Sequence, residues 1–575
     1  MSDIAGPEGP FVPNPPDQDG VANPFGWDPD MPVVGAVEAS SARRGRPWFA
    51  LIAAALVVVV IGGGALALRS FLSTSVAAAS VMSPDTELFV SVDFLQLIEG
   101  DALKLNNTII SMIEASGEIP AEDLKDVDGL IGEIDTAMAE ALGLDFTKDI
   151  RPWVGRTVSL SMSGLGEIVD GSTPDILAVV ETRDDAAADQ FLSDLAESIE
   201  READVVVGRE SYAGTSVYVV ADDREFDTPL LFARVGAMVV FGTQSAVEDA
   251  IAAEEGTSLA DNEGFTAVME SLPTDRLMSF YLDGAAVFEA IEAEGVSSEG
   301  LSSFGYESLG ASLSIAEYGV RVDSVLIGDD PSSAIALEAG NVVKDLPAGT
   351  LVMFGGWSIA TYWDSAASAL SGTGTDDLLA EAEAELGIDL GRFLELLDRP
   401  SAIALVKTPD GAMARELGFP IGLLALLGTS QPEEVQGHLE DLVEYAGEGG
   451  FEGLTRTTLG SGTFWMADAD GEVAAAVGVT DDYLAAASSA GLVASIGSSP
   501  SLADNVQLRA VAEAMGVDPS EVVLFIDTRG LVEAFEAPRE IAAAMSPLGA
   551  LAASYQIQSD KAVGVFVWMI DYVER

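Results

Sequence analysis

The chain of 575 residues is 48% apolar and carries 94 Asp and Glu against 27 Lys and Arg, a formal charge of −67. That apolar share can fill sizeable cores, so the chain as a whole is no disordered polyanion, and its negative field repels nucleic acid and anionic surfaces. It has no cysteine and a single histidine, His438, which excludes disulfides, thiolate nucleophiles, Cys-ligated metal centres and histidine-rich metal sites.

Residues 1–46 are rich in Pro, Gly and Asp ("GPEGPFVPNPPDQDGVANPFGWDPDMP") without a helical or strand period. They are expected to form a disordered cytosolic tail. Residues 47–69 are expected to form a transmembrane helix. No charge interrupts the stretch between Arg46 and Arg69, and Trp48–Leu68 as a helix would span roughly 31 Å, the thickness of the bilayer hydrocarbon. Arg43, Arg44 and Arg46 precede this stretch, and only Arg69 follows closely. The positive-inside bias then puts the N-terminus in the cytosol and the bulk outside, making membrane lipid the first partner. "VAAAS" at Val76–Ser80 has the form of a leader cleavage site, so removal of the segment is the alternative. Residues 70–82 read as a linker.

From residue 83 onward strand-like runs dominate: "ELFVSV", "TVSLSMS", "DILAVVE", "ADVVVG", "TSVYVVA" and "PLLFARVGAMVVFG", with turns near "ESYAG" and "ARVGA". Amphipathic helices intervene at "DAAADQFLSDLAESIERE" and "AVEDAIAAEE". Much of this text returns later in one order. "LGLDF" (Leu142–Phe146) answers to "LGIDL" (Leu386–Leu390), and "LAVVETRDDAAADQFLSDLAE" (Leu177–Glu197) to "LALLGTSQPEEVQGHLEDLVE" (Leu424–Glu444). Gly214–Thr215 answers to Gly462–Thr463, "SLADN" at Ser258–Asn262 recurs at Ser501–Asn505, and "LGASLSI" (Leu309–Ile315) returns as "LAASYQI" (Leu551–Ile557). The reading is a duplication: a first lobe at 83–330, a linker at 331–344 and a second lobe at 345–575. The stretch "REFDTPLLFARV" has no evident counterpart in the second lobe.

A shorter theme runs inside the repeat: "SPDTELFVSVD", "LPTDRLMSFYLD", "LPAGTLVMFGG" and "DPSEVVLFID". Proline is expected at the first strand position, where it costs no ladder bond, and the closing Asp at the start of a following helix. One copy ends in Gly355–Gly356, which argues against a shared catalytic carboxylate. These openings, with the "SLADN…F…LP…YLD" order, resemble an uncharacterised bacterial family, found notably in actinobacteria. Its members are membrane-anchored proteins of unknown function with repeated Leu-Pro-x-Asp-Thr strand openings. The resemblance implies an envelope setting and carries over no functional residues.

No residue set earns a catalytic, cofactor or metal assignment. His438 aligns with Phe191, a packing position. There is no Gly-x-Ser-x-Gly elbow, no Ser-x-x-Lys dyad and no Gly-Lys pair for a P-loop. The acids Asp126, Asp128 and Asp135 fail the calcium-loop pattern, whose first position would be Leu124, and "MADADGEVAAAV" fails it with Met466 and Val477 at its ends. "ADADG" reads as a hairpin turn. In "SLADN", Leu259 and Leu502 read as apolar plugs and Asp261–Asn262 and Asp504–Asn505 as helix caps.

The expected fold class is α+β: two tandem homologous lobes of mostly antiparallel sheet covered by helices, after a transmembrane helix and a disordered tail. The expected function is non-enzymatic binding or scaffolding outside the membrane of a bacterial cell, without cofactor, toward an envelope protein, glycan or lipid. The alternatives are an envelope hydrolase with paired carboxylates and a carrier of apolar molecules. An open apolar trough would favour the carrier, and a cleft holding two acids the hydrolase.

Overall fold

The computed structural model describes residues 77–93, 143–168, 174–203, 205–220, 229–293, 306–328, 342–361, 389–448, 454–469, 472–558 and 560–572, with isolated positions elsewhere. The tail, the proposed anchor (Arg43, Arg44, Arg46, Trp48 and Leu68), Asp126 and Asp128 lie outside the described residues. Among the described residues no helix is long and apolar enough to cross a membrane.

Among the described residues ten strands come from the first half: β1 Leu88–Asp93, β2 Val154–Ser163, β3 Asp175–Thr182, β4 Val207–Tyr212, β5 Thr215–Val220, β6 Leu230–Val235, β7 Met238–Thr243, β8 Met278–Asp283, β9 Tyr306–Ala316 and β10 Gly319–Gly328. Ten come from the second: β11 Thr350–Trp357, β12 Arg399–Lys407, β13 Ile421–Gly428, β14 Leu454–Leu459, β15 Gly462–Ala469, β16 Glu472–Val479, β17 Tyr483–Ala487, β18 Val522–Asp527, β19 Leu548–Ile557 and β20 Lys561–Ile570. Every pairing is antiparallel. The order β4-β5-β6-β7-β3-β2-β1-β8-β9-β10 is matched by β14-β15-β16-β17-β13-β12-β11-β18-β19-β20.

The expected fold class is corrected at the junction. There are not two sheets in two lobes: β10 pairs with β20 along nearly its whole length, from Gly319↔Met569 to Ile327↔Lys561, and joins all twenty strands into one sheet. The middle of this ladder is Asp323↔Val565, and the flanking pairs step away from it symmetrically, as across a local twofold axis. Cations reach across the seam in both directions. Arg321 holds Asp323 and donates to the Ala514 and Met515 carbonyls at 3.2 and 3.4 Å, while Lys561 Nζ donates to Ser271 Oγ at 3.1 Å. All three targets lie in the last turn of a helix, where a cation is favoured by the helix dipole.

Helices pack on both faces. The described ones include α1 Asp185–Ala203, α2 Gln244–Glu255, α3 Glu263–Ser271, α4 Pro432–Glu448, α5 Val506–Met515 and α6 Thr528–Ala534. One face is covered by α2 and α3 in the first half, over Phe89, Val179, Val240 and Tyr281. The matching cover in the second half is α5, over Met353, Leu424, Phe525 and Ala552.

The two "SLADN" copies serve this cover. Leu259 and Leu502 are fully buried, and each starts a short 3-10 turn closed by a capping box, Ser258 with Asp261 and Ser501 with Asp504. Asn262 Oδ1 then accepts from the Phe265 amide at 3.0 Å, and its Nδ2 donates to the Pro84 carbonyl at 3.2 Å. Asn505 accepts from the Leu508 amide at 3.2 Å and donates to the Ala348 carbonyl at 3.2 Å. The pentapeptide therefore caps a helix and ties it to the turn before β1 or β11.

That turn corrects the placing of proline. Pro84 and Pro347 do not open strands; they sit in turns closed by Thr86 N–H to Ser83 and by Thr350 N–H to Pro347. Strands carrying the shared opening are neighbours, β1 beside β8 and β11 beside β18. The closing acids do cap helices: Asp283 accepts from the Ala285 amide at 3.0 Å and Asp527 from the Gly530 amide at 2.9 Å. Asp93 instead is buried against Arg156.

Further boundaries move. Ala77–Val81 is a 3-10 turn with Ala78 and Ala79 buried in the first-half core, so residues 77–82 are folded against that core and are not linker. Val342 and Val343 are likewise buried, in a short helix opening the second half. The "ADVVVG" strand begins only at Val207, because its hairpin turns at Ala213–Gly214, both with positive φ, between Tyr212 and Thr215. The equivalent turn closes between Leu459 and Gly462, one residue off the match of Gly214–Thr215 with Gly462–Thr463. β6, inside the supposed insertion, has a counterpart in β16.

Candidate functional site

The sheet's second face carries an unbroken apolar row. It runs from Met278 on β8 through Leu313, Val322 and Phe566 at the seam, each the ladder partner of the last. Ala553 and Leu524 lead on to Phe354 and Ile403. Ala425, Ala486, Val477 and Trp465 complete it on β13, β17, β16 and β15. Alternation puts these side chains on one side of the sheet, opposite the buried Met353, Ala404, Leu424 and Phe525.

In the second half two helices cover parts of this face. Val435 and Leu439 of α4 pack on Trp465, Val479 and Leu484, and Leu531 and Ala534 of α6 on Leu351, Leu405 and Ile421. Between them the row is open. Phe354 is 50% exposed, and Ile403 and Leu423 are each 46% exposed. These exposures are large for side chains in the middle of a sheet, where burial is the rule. Beside Ile403 and Leu423 lies a shallow trough of about 360 Å³, floored by Ala425, Ala475, Ala486 and Val477. Its volume lies at the low end of the roughly 300–1,000 Å³ of ligand pockets.

The floor is made by small residues, and the ladders show what replaces them in the first half. Leu177–Gly242–Leu231 and Leu424–Ala487–Ala476 are corresponding runs of paired residues. Counting from these, Ala486 corresponds to Phe241, Val477 to Phe232 and Ala475 to Leu230. Phe232 and Phe241 lie 6.1 Å apart, Phe232 stacks on Tyr218 at 5.0 Å, and all three join the core under α1 with Leu230. Phe241, Phe232 and Leu230 thus fill in one half the space that Ala486, Val477 and Ala475 leave in the other.

Among the described residues no ionisable side chain lines the trough. The two cations of β12 lie four residues to either side of Ile403, and both are engaged: Lys407 with Glu533 at 3.2 Å and Arg399 with Asp482 at 2.9 Å. The trough's hydroxyl, Ser488 Oγ, accepts from the Leu423 amide at 2.9 Å. Tyr483, at the start of β17, donates to Asp345 at 2.7 Å; burial and that carboxylate push its phenol well above the ordinary range.

The singled-out polar residues stand elsewhere. His438 lies on α4, half-buried, edge-on to Phe393 at 5.9 Å, and Phe191 on α1 packs on Trp153 at 4.9 Å. Asp135 accepts from the Thr147 amide and hydroxyl. The "ADADG" stretch connects β15 to β16, which close on each other at Ala469 and Glu472. Among the described residues no group of three acids or histidines is placed to hold a metal ion. The trough itself escaped a motif-based reading; its signal was the alanine-rich "VAAAVG" and "YLAAAS", legible only beside "LLFARV" and "VVFGT".

A family model described as a protein of unknown function (DUF3352) matches residues 50–560. No curated protein matches the chain. Among solved structures, one titled "Structure of crystal form I of TP0453" matches with a TM-score of 0.22 and 10% identity, over 44% of this chain and 80% of that one.

Proposed function

The chain belongs to the DUF3352 family of proteins of unknown function, and we propose that this member is a non-enzymatic binding protein of a bacterial cell envelope that carries an apolar molecule on its sheet. One observation carries the reading: the apolar row on the second face stays open between α4 and α6 and deepens into an uncharged trough. On so acidic a chain, an exposed apolar patch of this kind marks a place where something apolar docks. The uncharged stretch Trp48–Leu68, flanked by Arg43, Arg44 and Arg46, supports attachment to a membrane with the sheet on the outer side.

Titration of the full chain with a neutral solvatochromic dye tests the binding. The expected result is a saturable blue shift that Ala486→Phe weakens about tenfold, a change of about 1.4 kcal/mol. Equal shifts for both proteins would defeat the reading. Protease added to intact cells tests the location: digestion of the second half is expected, and its survival beside a digested external control would place it inside.

A further inference from the structure

We propose that the trough takes one acyl chain of a lipid whose head group carries no net negative charge. This rests on the binding function above and names its ligand class. Hydrogen bonding gives the first argument. The backbone of β12, β13 and β17 is engaged in sheet ladders, β16 is paired with β15 and, over Ala476–Val479, with β17, and Ser488 Oγ already serves the Leu423 amide. An extended peptide laid in the trough would bury most of its N–H and C=O groups with no partner, which folded proteins avoid. A hydrocarbon chain brings no such groups.

Depth gives the second argument. The floor lies lower than its first-half counterpart by one layer of side chain, Ala486 and Ala475 standing where Phe241 and Leu230 stand. The vacated space is one apolar layer thick, matching a single chain and not a folded body. Charge gives the third. Lys407 and Arg399 are held by Glu533 and Asp482, so among the described residues of the lining strands no cation is left to receive a phosphate or carboxylate. The formal charge of −67 adds a general repulsion of anionic head groups. A zwitterionic or uncharged head at the trough's mouth meets neither obstacle.

The test uses the full chain reconstituted in phosphatidylcholine vesicles holding a trace of a lipid with a photoreactive acyl chain, followed by peptide mapping of the crosslinks. With phosphatidylcholine as the carrier of the label, crosslinks are expected on the peptides containing Ile403 and Ala486. Ala486→Phe and, separately, Ala475→Leu should lower them about tenfold with the thermal transition unchanged. Both variants place first-half residues at their own sister positions, so one serves if the other folds poorly. Equal labelling by photoreactive phosphatidylglycerol would overturn the charge selectivity. A small photoreactive hydrocarbon that labels the trough where the acyl lipid does not would overturn the acyl assignment while leaving the binding function standing. Labelling by neither would overturn both.

Discussion

The two halves share a strand order, a capping pentapeptide and a pattern of ladders, yet they treat one spot on the second face in opposite ways. In the first half Phe241, Phe232 and Leu230 join the core beneath α1. In the second, Ala486, Val477 and Ala475 leave the sheet open. The difference is side-chain volume. An open place can thus arise on a repeated scaffold by removing side chains from a filled layer, with most of the ladder pairing kept.

The comparison sharpens first on what the halves hold in common. Leu259→Ala and Leu502→Ala each empty a fully buried site and should cost about 2–5 kcal/mol. Because the sheet is continuous through β10 and β20, each should lower a single urea transition for the whole described region; two separate transitions would show that the halves melt independently. A smaller effect comes from a place where the halves differ. The counterparts of Tyr483 and Asp345 are the buried apolar Met238 and Val81. Tyr483→Phe removes the 2.7 Å bond to Asp345 and should cost about 1–3 kcal/mol at neutral pH.

The same residue fixes a sign in alkali. The folded-state phenol is held above its ordinary value of 10.0 by burial and Asp345. It stays neutral in the folded chain while the unfolded chain ionises, so stability falls as pH rises beyond about 10. The Phe variant should show a shallower alkaline decline in chemical denaturation, and an identical slope would assign the decline to other groups. The smallest effect is a shared one. Arg209 lies over the Tyr218 ring at 5.3 Å and Arg456 over Trp465 at 5.2 Å, at corresponding positions on the two outermost strands. Replacing either by Ala should cost about 0.5–1 kcal/mol, and unequal thermal shifts would break the equivalence.

Much of this was legible in the letters. Helices α1 and α2, the hairpins around Ala213–Gly214 and Gly236, and the role of "SLADN" all follow from short-range periodicity and capping, which nearby residues decide. The union of the halves did not. β10 and β20 are alternating strands like the others, and an alternating pattern says which side is apolar without saying which partner, more than two hundred residues away, completes the ladder. The trough was hidden for a related reason. Alanine is neutral in a single reading, and only the registers set Ala486 against Phe241. The proline openings misled because a turn, and not the strand, needs the fixed dihedral.

The Asp323↔Val565 seam has a consequence for how the molecule behaves on dilution. A self-complementary strand-to-strand junction of this kind ordinarily joins separate subunits and falls apart as they become scarce. Here a single polypeptide supplies both sides, so the partner is always at hand at high local concentration. Its melting point should be the same in a concentrated solution as in a nanomolar assay.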